Sequence, residues 1–172
     1  EQDYPRECLE IWAGSDGSTD DTYAIIKRLA EEKHIRYAVS FQRKGKPAML
    51  NKMTREATGD IYVFADARQR FEKDAIRQLV RCFGDPQVGA VSGELMLEDR
   101  EAGAGRGIGL YWRYEKEMRR MESAVGSMMG ATGAIYAARK EHFPYLPENI
   151  ILDDLYTPFN AIMAGQRAIF GP

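Results

Sequence analysis

The chain has 172 residues, 44% of them hydrophobic and 29% charged, which suits one soluble globular domain with a core of its own. A net charge of −2 with scattered basic residues excludes an electrostatic nucleic-acid binder. No apolar run approaches the ~20 residues that span a bilayer, and two distant cysteines, Cys8 and Cys82, point to free thiols in a reducing, cytoplasmic compartment.

Leu9–Ala13 reads as a strand that runs into Gly14-Ser15-Asp16-Gly17-Ser18-Thr19-Asp20-Asp21. The glycines allow tight turning and close approach of a ligand to the backbone. Ser18 or Thr19 suits the N-cap, Asp20 and Asp21 suit a first turn, and Tyr23, Ile26, Leu29 and Ala30 predict a helix over Asp20–Lys33. Strand, Gly-rich turn and helix form a phosphate-binding arrangement, but acids in the turn fit better as acceptors for a base or a sugar. Ile35–Phe41 is the next strand, followed by the basic loop Gln42–Pro47. Pro47 fits a first helical position, and Leu50, Met53 and Ala57 mark the buried stripe of that helix. Lys46, just ahead of the helix, either sits in a solvated turn or meets an anion.

Ile61–Ala65 is apolar, β-branched and aromatic, and predicts a strand buried on both faces. It ends in charge at Asp66, Arg68 and Arg70. Ligands of open α/β sheets sit beyond the carboxyl ends of strands. Asp66 can therefore hold a ribose hydroxyl or a divalent cation, or merely cap a turn. Ile76, Leu79, Val80 and Phe83 follow helical spacing, with Gly84 as the residue that closes the helix. Val88–Leu97 reads as a strand kinked at Gly93, and Glu98–Gly109 as a loop. Leu110–Val125 predicts an amphipathic helix with Tyr111, Tyr114, Met118 and Met121 on one stripe. Gly126–Gly133 is a run of small residues broken by two methionines, and Ala134–Ala138 is a strand. Ile150-Ile151-Leu152 leads into Asp153-Asp154 at a helix start, with Leu155, Phe159, Ile162 and Met163 on one face and Gly165 at its close. That acid pair is either a helix cap or chemistry. Arg167–Phe170 begins a last strand. His34 and His142 have no ligand-spaced partner, so both read as structural.

Five stretches in order, DGSTD, KGKPAMLN, FADAR, GATGAIYAAR and ILDD, resemble the family 2 glycosyltransferases. These are inverting enzymes of the GT-A fold that use nucleotide-diphosphate sugars. The resemblance implies an α/β, Rossmann-like fold: a mostly parallel sheet flanked by helices, one domain over residues 1–172, without the family's first strand and helix and truncated at both ends. It implies that Asp16 reads the nucleobase and that Lys46 meets the base or the diphosphate. Asp66 resembles the first acid of the DxD motif, which binds metal and nucleotide, and Gly130, Ala131, Thr132 and Gly133 resemble the loop beside donor sugar and acceptor. Asp154 resembles the catalytic base, with Asp153 beside it in the substrate site. Its place after Ile150-Ile151-Leu152 predicts partial desolvation, which strengthens a base.

The DxD stretch departs from the family pattern, because Arg68 stands where the second acid belongs. Either Asp66 holds Mn²⁺ or Mg²⁺ together with diphosphate and water, or Arg68 supplies part of the metal's charge. The implied donor is a nucleotide-diphosphate sugar, expected to be a UDP-sugar, and the implied acceptor a polysaccharide or lipid-linked glycan. Membrane association is left to the complete protein. Two rival readings are a nucleotide-sugar-binding fragment without turnover and a nucleotidyltransferase. The second wants a basic Gly-rich loop where Gly14–Asp21 is acidic.

Overall fold

The computed structural model describes residues 2–96 and 106–171, with side chains from residue 111 in the second stretch. The chain forms two compact units. One holds Tyr4–Asp60 and Pro144–Asp153, the other Glu1–Asp3, Ile61–Phe143 and Asp154–Pro172.

In the first unit, β1 (Trp12–Asp16) and β2 (Arg36–Ser40) pair in parallel, and α1 (Thr22–Lys33) and α2 (Lys46–Glu56) complete it. β1 starts three residues later than the sequence predicts, so Gly14, Ser15 and Asp16 belong to the strand. Their turn-like character reflects packing: a Cβ on Gly14 would lie 2.8 Å from Met49 Cγ, so α2 approaches the strand where a side chain is missing. The turn proper is at Gly17, whose φ of +67° few other residues adopt. Asp20, not Ser18 or Thr19, serves the start of α1, its Oδ1 accepting from Thr22 N at 3.1 Å and Thr22 Oγ1 at 2.6 Å. At the other end His34 closes α1 in the left-handed region at φ 53°. Pro47 lies in the first turn of α2, as expected, and the buried face of that helix is Pro47, Met49, Leu50 and Asn51.

The second unit is built on a four-stranded sheet in the order β3 (Ile61–Ala65), β5 (Ile135–Arg139), β4 (Val88–Ser92), β6 (Arg167–Phe170). β5 runs antiparallel to both neighbours, and β4 and β6 are parallel. β3 forms where the sequence predicts, but as an edge strand with alternating burial. The strand that is buried throughout is β4, one of the two inner strands of the order. Side-chain alternation divides this sheet's core. On one face Val63, Val91, Ile135 and Ala137 pack with Leu79 of α3 (Ala75–Cys82) and with Phe83, which caps that helix. On the other, Phe64 stacks on Tyr136 and Phe143 at 4.8 and 4.9 Å. Arg139 ties the end of α3 to this sheet, donating to the carbonyls of Val88 and Phe83, each at 2.8 Å.

α4 (Arg106–Val125) begins earlier than predicted, so residues 106–109 are helical; Leu97 and the expected loop up to residue 105 lie outside the described residues. Its predicted apolar stripe, Tyr111, Tyr114, Met118 and Met121, is exposed. α4 is held to β6 through polar contacts, among them Phe170 N to Ser123 Oγ at 3.1 Å and Arg167 to Ser123 O at 3.0 Å. α5 (Asp153–Met163) reverses its predicted face as well: Leu155, Phe159 and Met163 are exposed, while Thr157, Pro158 and Ala161 are buried. The reason is close packing on β4, where a Cβ added to Gly89 would lie 2.9 Å from Ala161 Cβ. Small residues bring the helix down on the sheet and leave the larger ones outside. Gly165 follows α5 with φ +82°, as the sequence indicates.

Candidate active site

Two groups of predicted site residues emerge, one in each unit. In the first unit, Asp16 ends β1 and its carboxylate accepts two backbone N–H groups, Lys44 N at 2.9 Å and Gly45 N at 2.7 Å. Gly17 N donates to Ser40 O at 2.8 Å, so the loops after β1 and β2 are tied together. Gly17 is needed for this closeness, since a Cβ there would lie 2.8 Å from Arg43 N. The loop hands directly to Lys46 at the start of α2. Lys46 Nζ lies 3.1 Å from Asp153 Oδ1, and Asp153 is only 4% exposed. Asp153 therefore does more than begin a helix: it pairs with the lysine that the basic loop delivers.

The segment carrying Asp153 is anchored by a residue that sequence reasoning passed over. Asn51 of α2 is buried, donates from Nδ2 to Leu146 O at 2.8 Å and accepts Leu146 N at Oδ1 at 2.8 Å. This reciprocal pair mimics a sheet bridge. The available signal was a polar side chain beside Leu50 on the apolar face of α2.

In the second unit the registers Ala65↔Ile135 and Ser92↔Tyr136 place the ends of β3 and β4 beside the start of β5. Asp66 follows β3 and is half-buried; Arg68, in the next turn, is exposed. The Gly130–Gly133 loop enters β5 at this same end. Ser92, fully buried, accepts Thr132 N at 3.0 Å and donates to Gly93 O at 3.1 Å. Ala131 N donates to the Asp154 carbonyl at 2.9 Å. A Cβ built on Gly133 would lie 2.9 Å from Asp154 Oδ2, so the carboxylate stands where a side chain on residue 133 would begin. Asp66, the Gly130–Gly133 loop and Asp154 are thus brought to one end of one sheet. The apolar run before the acid pair does not shield Asp154, because Ile151 is 89% and Leu152 53% exposed. Its half-burial comes with the 130–133 loop instead.

The description Glycosyl transferase family 2 fits residues 1–146, most of the chain. The chain belongs to this family. It is 32% identical to an N-acetylglucosaminyltransferase of Azorhizobium caulinodans, over 99% of this chain and 47% of that protein. It is 28% identical to a beta-monoglucosyldiacylglycerol synthase of Synechocystis, over 89% of this chain and 33% of that protein. Among solved structures, a mannosyltransferase from Pyrobaculum calidifontis in complex with GDP-mannose and Mn²⁺ superposes with a TM-score of 0.81 at 30% identity, covering 99% of this chain and 48% of that one. The chain spans at most about half the length of these relatives. The α/β fold with helices flanking its sheets agrees with the GT-A expectation.

A divalent cation accompanies the nucleotide sugar in the Pyrobaculum structure. For this family member the donor set is sparse. Among the described residues no cluster of three or more His, Cys, Asp or Glu side chains exists that would hold a metal alone. One carboxylate at a strand end still suits a hard cation that takes its remaining ligands from diphosphate and water. No helix among the described residues is long and apolar enough to cross a membrane, and Cys8 and Cys82 are free thiols.

Proposed function

We propose that the complete protein transfers a sugar from a nucleotide-diphosphate sugar to a hydroxyl acceptor with inversion at the anomeric carbon. In this reading the 172 residues act as one nucleotide-sugar-binding domain. Asp154 is the general base that takes the acceptor's proton as its oxygen attacks the anomeric carbon. Asp66 holds Mn²⁺ or Mg²⁺, which neutralises charge on the departing diphosphate when bound. Lys46 meets the diphosphate or the base, and Asp16 reads the nucleobase while fixing the loop that carries Lys46. Arg68 offers a guanidinium to phosphate oxygens, and Gly130–Gly133 lies beside the donor sugar, with Asp153 orienting Lys46. The acceptor is a polysaccharide or a lipid-linked glycan, consistent with the glycolipid synthase among the relatives. Work at the cytoplasmic face of a membrane fits that acceptor class.

The observation that carries this reading is the Asp154 carboxylate set against Gly133, at the sheet end that Asp66 shares. A base aimed at a sugar hydroxyl needs a fixed carboxylate with an open approach, and a glycine opposite it supplies room. The test is a titration of the complete protein with UDP-sugars and GDP-mannose, with and without Mn²⁺, reading transfer and the product's anomeric configuration by NMR. Inverted product that depends on Asp154 supports the reading. Retained configuration, or hydrolysis and transfer indifferent to Asp154→Asn, contradicts it.

A further inference from the structure

We propose that Gly133 and Ser92 are positioning residues for Asp154, so that the 130–133 loop sets the direction in which the carboxylate points. This rests on Asp154 being the base.

Three contacts make the loop and the start of α5 one assembly. Ala131 N holds the Asp154 carbonyl at 2.9 Å, fixing the backbone of the acid. Gly133 leaves the space that the Asp154 carboxylate fills, 2.9 Å from where a Cβ would stand. Leu155 Cδ1 fills the corresponding space at Gly130, also at 2.9 Å. The loop is in turn held from beneath by Ser92, whose buried hydroxyl accepts Thr132 N. Ser92 belongs to β4, the strand buried along its whole length, so the anchor is rigid. The order of support runs from β4 through Ser92 and Thr132 to Gly133 and the carboxylate.

The clash at Gly133 has a useful property. The obstructing atom is the far end of a side chain that rotates, not backbone. An alanine there should be accommodated by displacing the carboxylate rather than the backbone. A small misplacement of a reacting group costs up to ~10²-fold in rate. A merely structural glycine would show the opposite pattern, a stability loss with normal turnover per folded molecule.

The experiment measures kcat at saturating donor, donor Kd and Tm for Gly133→Ala and Ser92→Ala in the complete protein, each alone and combined with Asp154→Asn. Gly133→Ala is expected to lower kcat roughly 10–100-fold, with donor Kd and Tm close to the unaltered protein. Ser92→Ala is expected to do the same more weakly. In the Asp154→Asn background both substitutions should lose most of their effect, because groups that act as a unit are non-additive. Equal fold-losses in both backgrounds, or unaltered kcat in Gly133→Ala, would overturn the inference. If Gly133→Ala fails to fold, its clash is not relieved by the carboxylate and the inference fails for Gly133, leaving Ser92→Ala to decide the anchor. If Asp154→Asn alone turns over normally, it is the base assignment that has failed.

Discussion

Three acids of one unit and one acid of the other are placed differently. In the unit of β1 and β2, Glu10, Asp16 and Asp153 each hold something named. Glu10 accepts Thr58 N and Oγ1 at 2.7 and 3.0 Å and faces Arg36 at 3.1 Å. Asp16 holds the Lys44–Gly45 backbone, and Asp153 pairs with Lys46. In the other unit, Asp154 is set against the bare Cα of Gly133 by a loop that grips its carbonyl. On the proposed reading, the same functional group serves in one place to fix chain and in the other to be aimed. Backbone N–H groups and cations stand beside the first three, and a glycine stands close against the carboxylate of the fourth.

A large expected effect belongs to Asp66, at the sheet end that Asp154 shares. Asp66→Ala should remove the only carboxylate of the DxD stretch and lower transfer by ~10²-fold or more, the size of a lost transition-state charge partner. Calorimetry should show weaker Mn²⁺ binding in the presence of nucleotide diphosphate, and Arg68→Asp should strengthen it. Unchanged Mn²⁺ affinity in both variants would place the cation elsewhere. Next, Lys46→Met should raise donor Kd by ~10-fold, about 1.4 kcal/mol, and should lower Tm, because it leaves the buried Asp153 carboxylate without its cation. A variant with lower Tm but unaltered donor Kd would make Lys46 purely structural.

For the holding class, Asp16→Ala should cost about 1–3 kcal/mol, the range for removing a charged acceptor from backbone donors. Urea unfolding reads it directly, and no loss would remove Asp16 from this class. The smallest effect belongs to Glu10. Partial burial pushes its carboxyl up, but the Thr58 hydrogen bonds, Trp12 and Arg36 together hold it below the ordinary glutamate value. A lowered folded-state value means stability that is present above the unfolded value, near pH 4.3, and lost as pH falls through the folded value. Glu10→Gln should therefore lower stability by up to ~1 kcal/mol at pH 7 and have little effect at pH 3. A pH-independent loss would assign Glu10's effect to packing.

The sequence carried the elements that are locally encoded and missed what depends on distant partners. β3 was legible to the residue because Ile61–Ala65 is a continuous apolar run between a turn and a charge. β1 was misplaced by three residues, since Gly14 and Ser15 look like turn residues until the close approach of Met49 explains them. The face of α5 was inverted for a related reason. Its large apolar residues suggested a core stripe, whereas Gly89 and Ala161 let the small-residue face pack. At the site, the motifs named Asp66, the 130–133 loop and Asp154 individually. They gave no sign that Ser92 supports Thr132 or that Asn51 grips Leu146, pairs 40 and 95 residues apart.

The contrast between the two acid classes is tested most directly by measuring kcat at saturating donor and Tm together for Asp16→Asn and Asp154→Asn in the complete protein. A crossed result is expected. Asp154→Asn should lose ~10²–10⁴-fold in kcat with Tm little changed. Asp16→Asn should keep kcat within a few-fold while Tm falls by about 2–4 °C, the equivalent of ~1 kcal/mol. Loss of turnover in Asp16→Asn with normal turnover in Asp154→Asn would contradict it.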